Sequence, residues 1–500
     1  MNEPFLDLPS YLAFLDRSGR LQRVRAEVDK DTELACIARW ALEGFTRGRE
    51  YALVFERVRG HSLPVAVHVF PSLDLYATAI GTPLSGVYER WSAALAGPVP
   101  PRIVDAAPVH DVVLTGDDAD LTALPVPVWT PGRDAGPYLS AGLVITRDPD
   151  TGVQNLANYR IQIHDRRCAG LFFGSDLQHG AMHRARYRRR NEAMPVALVV
   201  GAPPAVNFAA AAKTAYGIDE MSIAGALSGA PIEVVRCRTN DLLVPARAEI
   251  VIEGRVAPDA SRMEGPFGEA LGYMNDPLPA PFIDVTAVCR RREAVFHGYV
   301  QQLPPSDGHL VMEMGVLGPL WYYLTRKLGV RGLRDLAIAR GAAGVSMLLV
   351  QLDRTAAGQA GPVGRALARL NFGQKFVCFL DDDVDLRDPE AVNWAITSRV
   401  DPDRDFTLHS DTHAFQYDPS TLDRARAKGR APSGPPYESS LAVIDATLKG
   451  PAPPVCLPDA ALMRRVIQRW SEWGLPPIAA RPRIQTMLDA AEPPDSRPNA

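Results

Sequence analysis

The sequence predicts an α/β (α+β) chain made of an N-terminal α/β unit, a strand-rich middle and a C-terminal α/β unit with a helical tail. Three observations predict it. The chain has 500 residues, more than a single hydrophobic core organises, so about three domains are expected. Short β-branched runs crowd the middle of the chain, separated by Gly, Pro and Asp, the mark of a barrel or sandwich-like core. In the last third, apolar runs of strand length alternate with helical patterns, which suggests a second α/β layer.

Asp31-Thr32-Glu33 precedes Leu34, Ile37, Ala38, Ala41 and Leu42. Acids and a Thr ahead of an i, i+3, i+4 apolar pattern mark a helix start. Strands are expected over 51–58 and 63–69, and Pro98, Pro100 and Pro101 mark a boundary. The runs 141–146, 158–163, 197–200, 232–237, 248–252, 283–289 and 294–300 are the strands of the middle. Beyond them, 317–328 and 363–370 are expected helices, and 345–352 and 375–380 expected strands. The stretch 431–436 is a Pro/Gly linker, 463–473 is helical, and 492–500 is a Pro-rich mobile end. The expected divisions are 1–108, 109–305, 306–440 and 441–500.

Composition narrows the function classes. Hydrophobic residues make up 46% and charged residues 22%, and the net charge is -4. These values exclude wholesale disorder and give no electrostatic case for nucleic acid or a membrane surface. The six cysteines lie far apart without a Cys-x-x-Cys pair, so reduced, mostly buried thiols are expected. The N-terminus has acids early and no basic region leading into an apolar core. It does not read as a signal peptide, and the expected location is the cytoplasm.

The segment richest in chemistry is Glu264-Gly265-Pro266-Phe267-Gly268-Glu269, running on to Gly272-Tyr273. In a plain strand, residues five apart point to opposite faces. A turn at Gly265-Pro266 cancels that parity and brings both carboxylates to one site. Two carboxylates sharing a site cannot both ionise freely, which leaves one as a proton carrier near neutral pH. Taken alone, the segment also suits a solvated turn with two surface acids. Arg160, in Asn155-Leu156-Ala157-Asn158-Tyr159-Arg160, is a candidate cation for the pair, able to grip a substrate carboxylate in a bidentate fork. Asn155, His179 and Glu220 offer O, N and O donors, suited to Mn²⁺ or Mg²⁺, though their spacing is not diagnostic.

Other features read as structural. The run Arg184, Arg186, Arg188, Arg189 and Arg190 suits a solvated helix face better than a nucleic-acid patch. Gly358 to Gly364 lacks the Lys-Ser/Thr of a phosphate loop. Asp381-Asp382-Asp383 suits a loop entering a helix better than a metal cluster, and no Ser nucleophile elbow is present.

Taken together, Asn155-x4-Arg160, Gln178-His179, Glu220, the Glu264–Glu269 box and Lys375 with Asp381-Asp382-Asp383 resemble the UbiD-type decarboxylases. Thr239-Asn240-Asp241-Leu242, Val244-Pro245-Ala246 and Ala248-Glu249-Ile250-Val251-Ile252-Glu253-Gly254 carry the same resemblance, which covers nearly the whole chain. It implies a central split β-barrel holding prenylated FMN, with Mn²⁺ and often K⁺, between an N-terminal α/β domain and a C-terminal α/β dimerisation domain with a tail helix. It implies Asn155, His179 and Glu220 as metal ligands. It implies Asn155, Ala157, Asn158, Tyr159, Arg160, Gln178, His179, Glu220 and Lys375 as cofactor contacts, with Lys375 towards the phosphate. Arg160, Glu264 and Glu269 match its catalytic Glu-Arg-Glu set: Arg160 orients the substrate carboxylate, Glu264 supports Arg160, and Glu269 delivers the proton. The implied activity is reversible, non-oxidative decarboxylation of an aromatic, heteroaromatic or α,β-unsaturated acid. A flavin prenyltransferase would supply the cofactor, and a homodimer is expected. A subunit of a multisubunit aryl carboxylase and an FMN oxidoreductase are the alternative readings. The small Ala270 suggests room for a bulky substrate.

Overall fold

The computed structural model describes residues 3–354, 358–370, 372–414, 418–427, 437–476, 484 and 486–487. The expected linker 431–436 and mobile end 492–500 lie outside the described residues. Two compact units emerge: Met1–Tyr322 with Phe415–Tyr437, and Tyr323–Ala414 with Glu438–Ala500.

The first unit begins with a helix that the expected elements did not include. Asp7 accepts a hydrogen bond from Ser10 N and caps Leu8–Arg17, which buries Leu8, Tyr11, Leu12 and Leu15. That i, i+3, i+4, i+7 spacing puts all four on one face. A four-stranded sheet follows, in the order Leu21–Val28, Ala52–Val58, Val65–Val67 and Phe296–His297. Its last strand is shorter than the expected 294–300. After His297, Gly298 N still donates to Ala66 O, but Tyr299 N turns to the Ser140 hydroxyl, so a side chain replaces the next rung of the ladder.

The strand-rich middle forms a nine-stranded sheet. Its backbone runs Tyr138–Leu139, Arg160–Asp165, Cys168–Phe172, Phe282–Arg290, Ile250–Val256, Met194–Val200, Leu143–Arg147 and Gln154–Asn158, and Val112–Thr115 pairs with Phe282–Arg290. The sheet is curled and open, a split barrel. Register shifts at Cys168/Ala169 and Glu253/Gly254 add the local twist that lets it curl. Val196, Leu198, Val200, Ile250, Ile252, Ile283 and Val285 face one buried core, the period-2 signature of a sheet packed on that side.

One difference from the expected strands positions the site. The run 158–163 is not a single strand. Gln154–Asn158 lies at one end of the sheet order and Arg160–Asp165 next to the other end, with Tyr159 between them. The chain therefore crosses the open side of the barrel at Tyr159 and leaves Asn155 and Arg160 on opposite lips.

Helix His309–Tyr322 packs on Val87–Ala96 and Pro204–Ala210. A Cβ added at Gly315 would stand 2.2 Å from Ala211 O and 2.9 Å from Ala211 Cβ. Ala211 is the C-cap of the helix Pro204–Ala210, so its backbone carbonyl cannot easily yield. Gly315→Ala is therefore expected to cost about 1–3 kcal/mol, despite Ala's better helix propensity, and to lower the urea midpoint of unfolding.

In the second unit the sheet order is Leu333–Ile338, Met347–Leu352, Phe376–Asp381, Tyr437–Asp445 and Phe406–Ala414. Leu349, Cys378, Leu380, Val392 and Ile444 lie in its core. The acidic triplet follows Phe376–Asp381 into the loop before helix Pro389–Arg399, which Asp388 caps. Arg399 pairs with Asp381 at 3.1 Å and with Asp383 at 2.8 Å. These acids thus tie the helix to the sheet end. Cys168, Cys237, Cys289 and Cys378 are buried, whereas Cys36 and Cys456 are exposed. Among the described residues, no helix is long and apolar enough to cross a membrane.

Candidate active site

Arg160 opens its strand at the lip of the split barrel, and Glu264 ends the short strand Arg262–Glu264. Arg160 Nε donates to Glu264 Oε1 at 2.9 Å and Nη2 donates to Oε2 at 2.6 Å, a side-on fork. Nη1 donates to Glu269 Oε1. Of the five guanidinium N–H groups, these bonds use three, leaving one on each terminal nitrogen. That remaining pair is available to a further acceptor such as a carboxylate. The Arg160 guanidinium carbon also lies 3.8 Å from the Phe172 ring centroid, a cation–π contact that fixes its plane.

The turn between the two glutamates is built from backbone. Gly265 has φ +89, a conformation that side chains resist, and its N–H donates to Tyr138 Oη and Gln162 Oε1, both at 3.1 Å. Phe267 stacks on Tyr138 with centroids 4.1 Å apart. Phe267 N donates to Asn275 Oδ1, and Glu269 N donates to Tyr273 O at 2.8 Å. On the other side of Glu269, His309 Nε2 lies 2.8 Å from Ala270 O.

The two carboxylates are not equivalent. Glu264 has 0% of its side chain exposed and is fully engaged by the fork, whereas Glu269 keeps 22%. Burial pushes the Glu269 carboxyl above its usual range, against the pull of Arg160 and with a further push from Glu264. Burial opposes the charge on Arg160, but Glu269 and Glu264 outweigh it and hold the guanidinium above its usual range.

Across the lip, Asn155 sits in Gln154–Asn158, His179 opens the helix His179–Arg189, and Glu220 opens Glu220–Ser228. His179 Nδ1 lies 3.1 Å from Asn155 Oδ1 and 4.0 Å from Glu220 Oε1. Glu220 is buried and accepts from Leu156 N at 2.9 Å and Thr214 Oγ1 at 3.0 Å. Burial still raises its carboxyl to about 7, the state of a carboxylate short of positive charge. Burial, then the charge of Lys213, holds His179 below its usual range, so it presents a neutral imidazole, the ligand form. Oxygen, nitrogen and oxygen donors around a buried carboxylate fit a divalent cation.

The remaining candidates line the same crossing. Asn155 Nδ2 and both amide atoms of Asn158 are buried without a partner among the described residues, as a polar ligand along this lip requires. Tyr159 Oη accepts from Gly180 N at 3.2 Å. Ala157 is half-buried against the core. Gln178 precedes the helix in extended conformation without a side-chain cap, so the first-turn N–H groups are oriented as in an anion site. Lys375 stands before Phe376–Asp381 in the second unit. The basic run lies on His179–Arg189 and just past it; Arg186 pairs with Asp148, Arg188 with Asp259 and Arg190 with Asp150.

Sequence reasoning missed Tyr138, Gln162, Phe172, Asn275 and His309. All act through backbone atoms or ring faces, so no residue pattern marks them. Asn275 alone carried a signal, as an Asn in the turn-rich Gly272-Tyr273-Met274-Asn275-Asp276-Pro277.

Family models for the 3-octaprenyl-4-hydroxybenzoate carboxy-lyase match three successive stretches. Its N-terminal domain matches residues 12–95, its Rift-related domain 102–304 and its C-terminal domain 316–446. The UbiD-class enzyme HmfF from Pelotomaculum thermopropionicum, solved in complex with FMN, is similar with a TM-score of 0.81 and 32% identity, covering 90% of this chain and 97% of that one. An evolved dimeric form of HmfF in complex with prFMN gives 0.79 and 32%, covering 91% and 97%. The vanillic acid decarboxylase of Sedimentibacter hydroxybenzoicus in closed form gives 0.79 and 25%, covering 95% and 100%. A protein from the cooM 5′ region of Rhodospirillum rubrum is 32% identical over 404 residues, 79% of this chain and 84% of its own length.

Proposed function

This chain belongs to the UbiD family of carboxy-lyases, and from that premise we propose that Arg160, Glu264 and Glu269 carry out a reversible, non-oxidative decarboxylation with prenylated FMN. The substrate is an aromatic, heteroaromatic or α,β-unsaturated carboxylic acid. The observation that carries the reading is the asymmetry of the two carboxylates. Glu264 is enclosed and spent on the Arg160 fork, while Glu269 keeps an exposed edge and a raised proton affinity.

The roles follow from that asymmetry. The two unused N–H groups of Arg160 bind the substrate carboxylate and aim the bond to be broken. Glu264 holds the guanidinium in its plane, so this orientation costs little on binding. Glu269, protonated, gives its proton to the carbon that loses CO₂, and in the reverse direction takes it back. When bound, prenylated FMN supplies the electron sink that side chains lack. Asn155 Nδ2, the Asn158 amide, the Tyr159 and Gln178 backbone and the first-turn N–H groups at His179 left over by Tyr159 Oη would hold it. Asn155, His179 and Glu220 would hold Mn²⁺, whose charge would help bind the cofactor. The reading extends to a K⁺ ion, a cytoplasmic homodimer and a flavin prenyltransferase as cofactor supplier, with the chain divided at 1–108, 109–305, 306–440 and 441–500.

Replacing His179 by Ala is expected to weaken Mn²⁺ binding by at least about 10–100-fold. Titration of the purified chain, read by the EPR signal of free Mn²⁺, measures it. The function itself is tested by co-expression with a flavin prenyltransferase and CO₂ release from a panel of aromatic, heteroaromatic and acrylic acids. Turnover of at least one acid is expected. Redox turnover on unmodified FMN without CO₂ release would overturn the reading.

A further inference from the structure

A second cluster of ligand atoms lies on other strands than the Arg160 site, on Ile250–Val256 and Phe282–Arg290 of the barrel sheet. Val251 pairs with Cys289, and Glu253 with Ala287. Opposed residues share a face and successive residues alternate, so Glu253 and Cys289 project from the side opposite Ile250, Ile252 and Val288, which line the core. His110, at the end of the short helical turn Pro108–His110, meets them there. One ligand atom from each of His110, Glu253 and Cys289 lies within 4.8 Å of the other two. Cys237 follows the strand Glu233–Arg236 and directly precedes Arg238, whose N donates to Glu253 Oε1 at 2.8 Å, which brings a second cysteine beside the same carboxylate.

The burial of this cluster is unusual for polar groups. Glu253 and Cys289 have 0% exposure and Cys237 5%. Both ring nitrogens of His110 are closed to solvent and have no hydrogen-bond partner among the described residues. A buried imidazole without a partner on either nitrogen loses its hydration with no return. Glu253 is fixed by its loop: Oε1 accepts from Arg238 N at 2.8 Å, and Oε2 from Thr239 N and Thr239 Oγ1 at 2.6 and 2.7 Å. Its remaining edge faces the Cys289 thiol, with Sγ 3.6 Å from Oε1.

We propose that His110, Cys237, Glu253 and Cys289 form a structural site for a thiophilic divalent cation of the Zn²⁺ class. Two sulfurs, one imidazole nitrogen and one carboxylate oxygen make a four-donor set typical of tetrahedral Zn²⁺ and poor for Mn²⁺ or Mg²⁺. With Zn–S near 2.3 Å and Zn–N near 2.0–2.1 Å, tetrahedral donors stand roughly 3.3–3.8 Å apart, and Cys289 Sγ and Glu253 Oε1 already lie 3.6 Å apart. The ion takes the place of the Cys289 S–H proton between sulfur and Glu253. Both thiol protons leave to solvent, and the ion bonds to both thiolates with no change of oxidation state. Four protein donors leave no open position, which makes the role structural. The ion would pin the 237–242 loop and the turn carrying His110 to the strands Ile250–Val256 and Phe282–Arg290.

Cobalt distinguishes this site from the one at Asn155, His179 and Glu220, which has no sulfur. The full-length protein, reduced, stripped with chelator and titrated with Co²⁺, is expected to develop a thiolate-to-cobalt charge-transfer band. The band saturates at about one ion per chain and is bleached by Zn²⁺. Cys289→Ser is expected to remove about half of the band, and His110→Ala to weaken binding by at least about 10-fold. His110 lies in a surface turn, so this variant folds, and circular dichroism checks both. Zn²⁺ is also expected to raise the thermal midpoint of the stripped protein but not of Cys289→Ser. Absence of the band, cobalt uptake without it, or equal stabilisation of wild type and Cys289→Ser would each overturn the proposal.

Discussion

Glu269→Gln is expected to slow decarboxylation by about 10²–10⁴-fold, the usual worth of a positioned proton donor, while leaving the fold and Arg160 in place. Gln keeps the length of Glu, and its amide oxygen still accepts from Arg160 Nη1, where Glu269 Oε1 does now. The variant lacks only the transferable proton, so substrate binding changes little and the loss falls on turnover. Two further readouts separate this from a packing defect. In D₂O, wild type places solvent deuterium at the carbon that loses CO₂, and the variant does so at the reduced rate. The wild-type decarboxylation rate falls as pH rises through the Glu269 value, because the donor must be protonated and burial holds that value above the usual carboxylate range. The variant lacks this limb. Stability moves the other way. A carboxyl with a raised folded value contributes stability below its unfolded value and loses it as pH rises through the folded value. Glu269→Gln is therefore expected to be as stable as wild type near pH 4 and more stable at pH 8 by urea denaturation. Full turnover in the variant would remove Glu269 from the proton-transfer role.

Much of this site could be read from residue types and order. Glu264, Glu269 and Arg160 are charged residues in a chain that has to bury some of them, and the glycines and proline between the acids announce a turn. What the residues could not tell is why Arg160 reaches both. The run from Asn158 to Ile163 has the composition of one strand. The break at Tyr159, which sends the two halves to opposite ends of the sheet, depends on which strands pair, a tertiary choice that overrides local propensity. The helix Leu8–Arg17 was missed for a related reason: its core residues Leu8, Tyr11, Leu12 and Leu15 begin among Glu3, Pro4, Asp7 and Pro9, which resemble a loop. The partners that shape the turn, Tyr138, Gln162 and Asn275, bond to backbone N–H groups. Backbone recognition leaves no mark in a residue pattern.

Arg160→Ala is expected to unfold the first unit more readily at neutral pH, by about 3–5 kcal/mol, because it strands buried carboxylates without their cation. Glu264 suffers most: it has no exposed surface, and both of its oxygens lose an N–H donor. Paired urea titrations of wild type and variant measure the cost. Adding Glu264→Gln removes one stranded charge and is expected to recover part of the stability, a coupling between neighbours that share one network. Activity does not return with it, because the two N–H groups that aim the substrate carboxylate are still missing. Arg160→Lys separates the functions further. It keeps the charge, so most of the stability survives. A single ammonium cannot make the fork to Glu264 and offer two further N–H groups to substrate, and the misplacement is expected to cost about 10²-fold or more in kcat/KM. Undiminished stability in Arg160→Ala would show that buried Glu264 does not depend on the Arg160 fork. The division of labour between the two carboxylates would then fall with it.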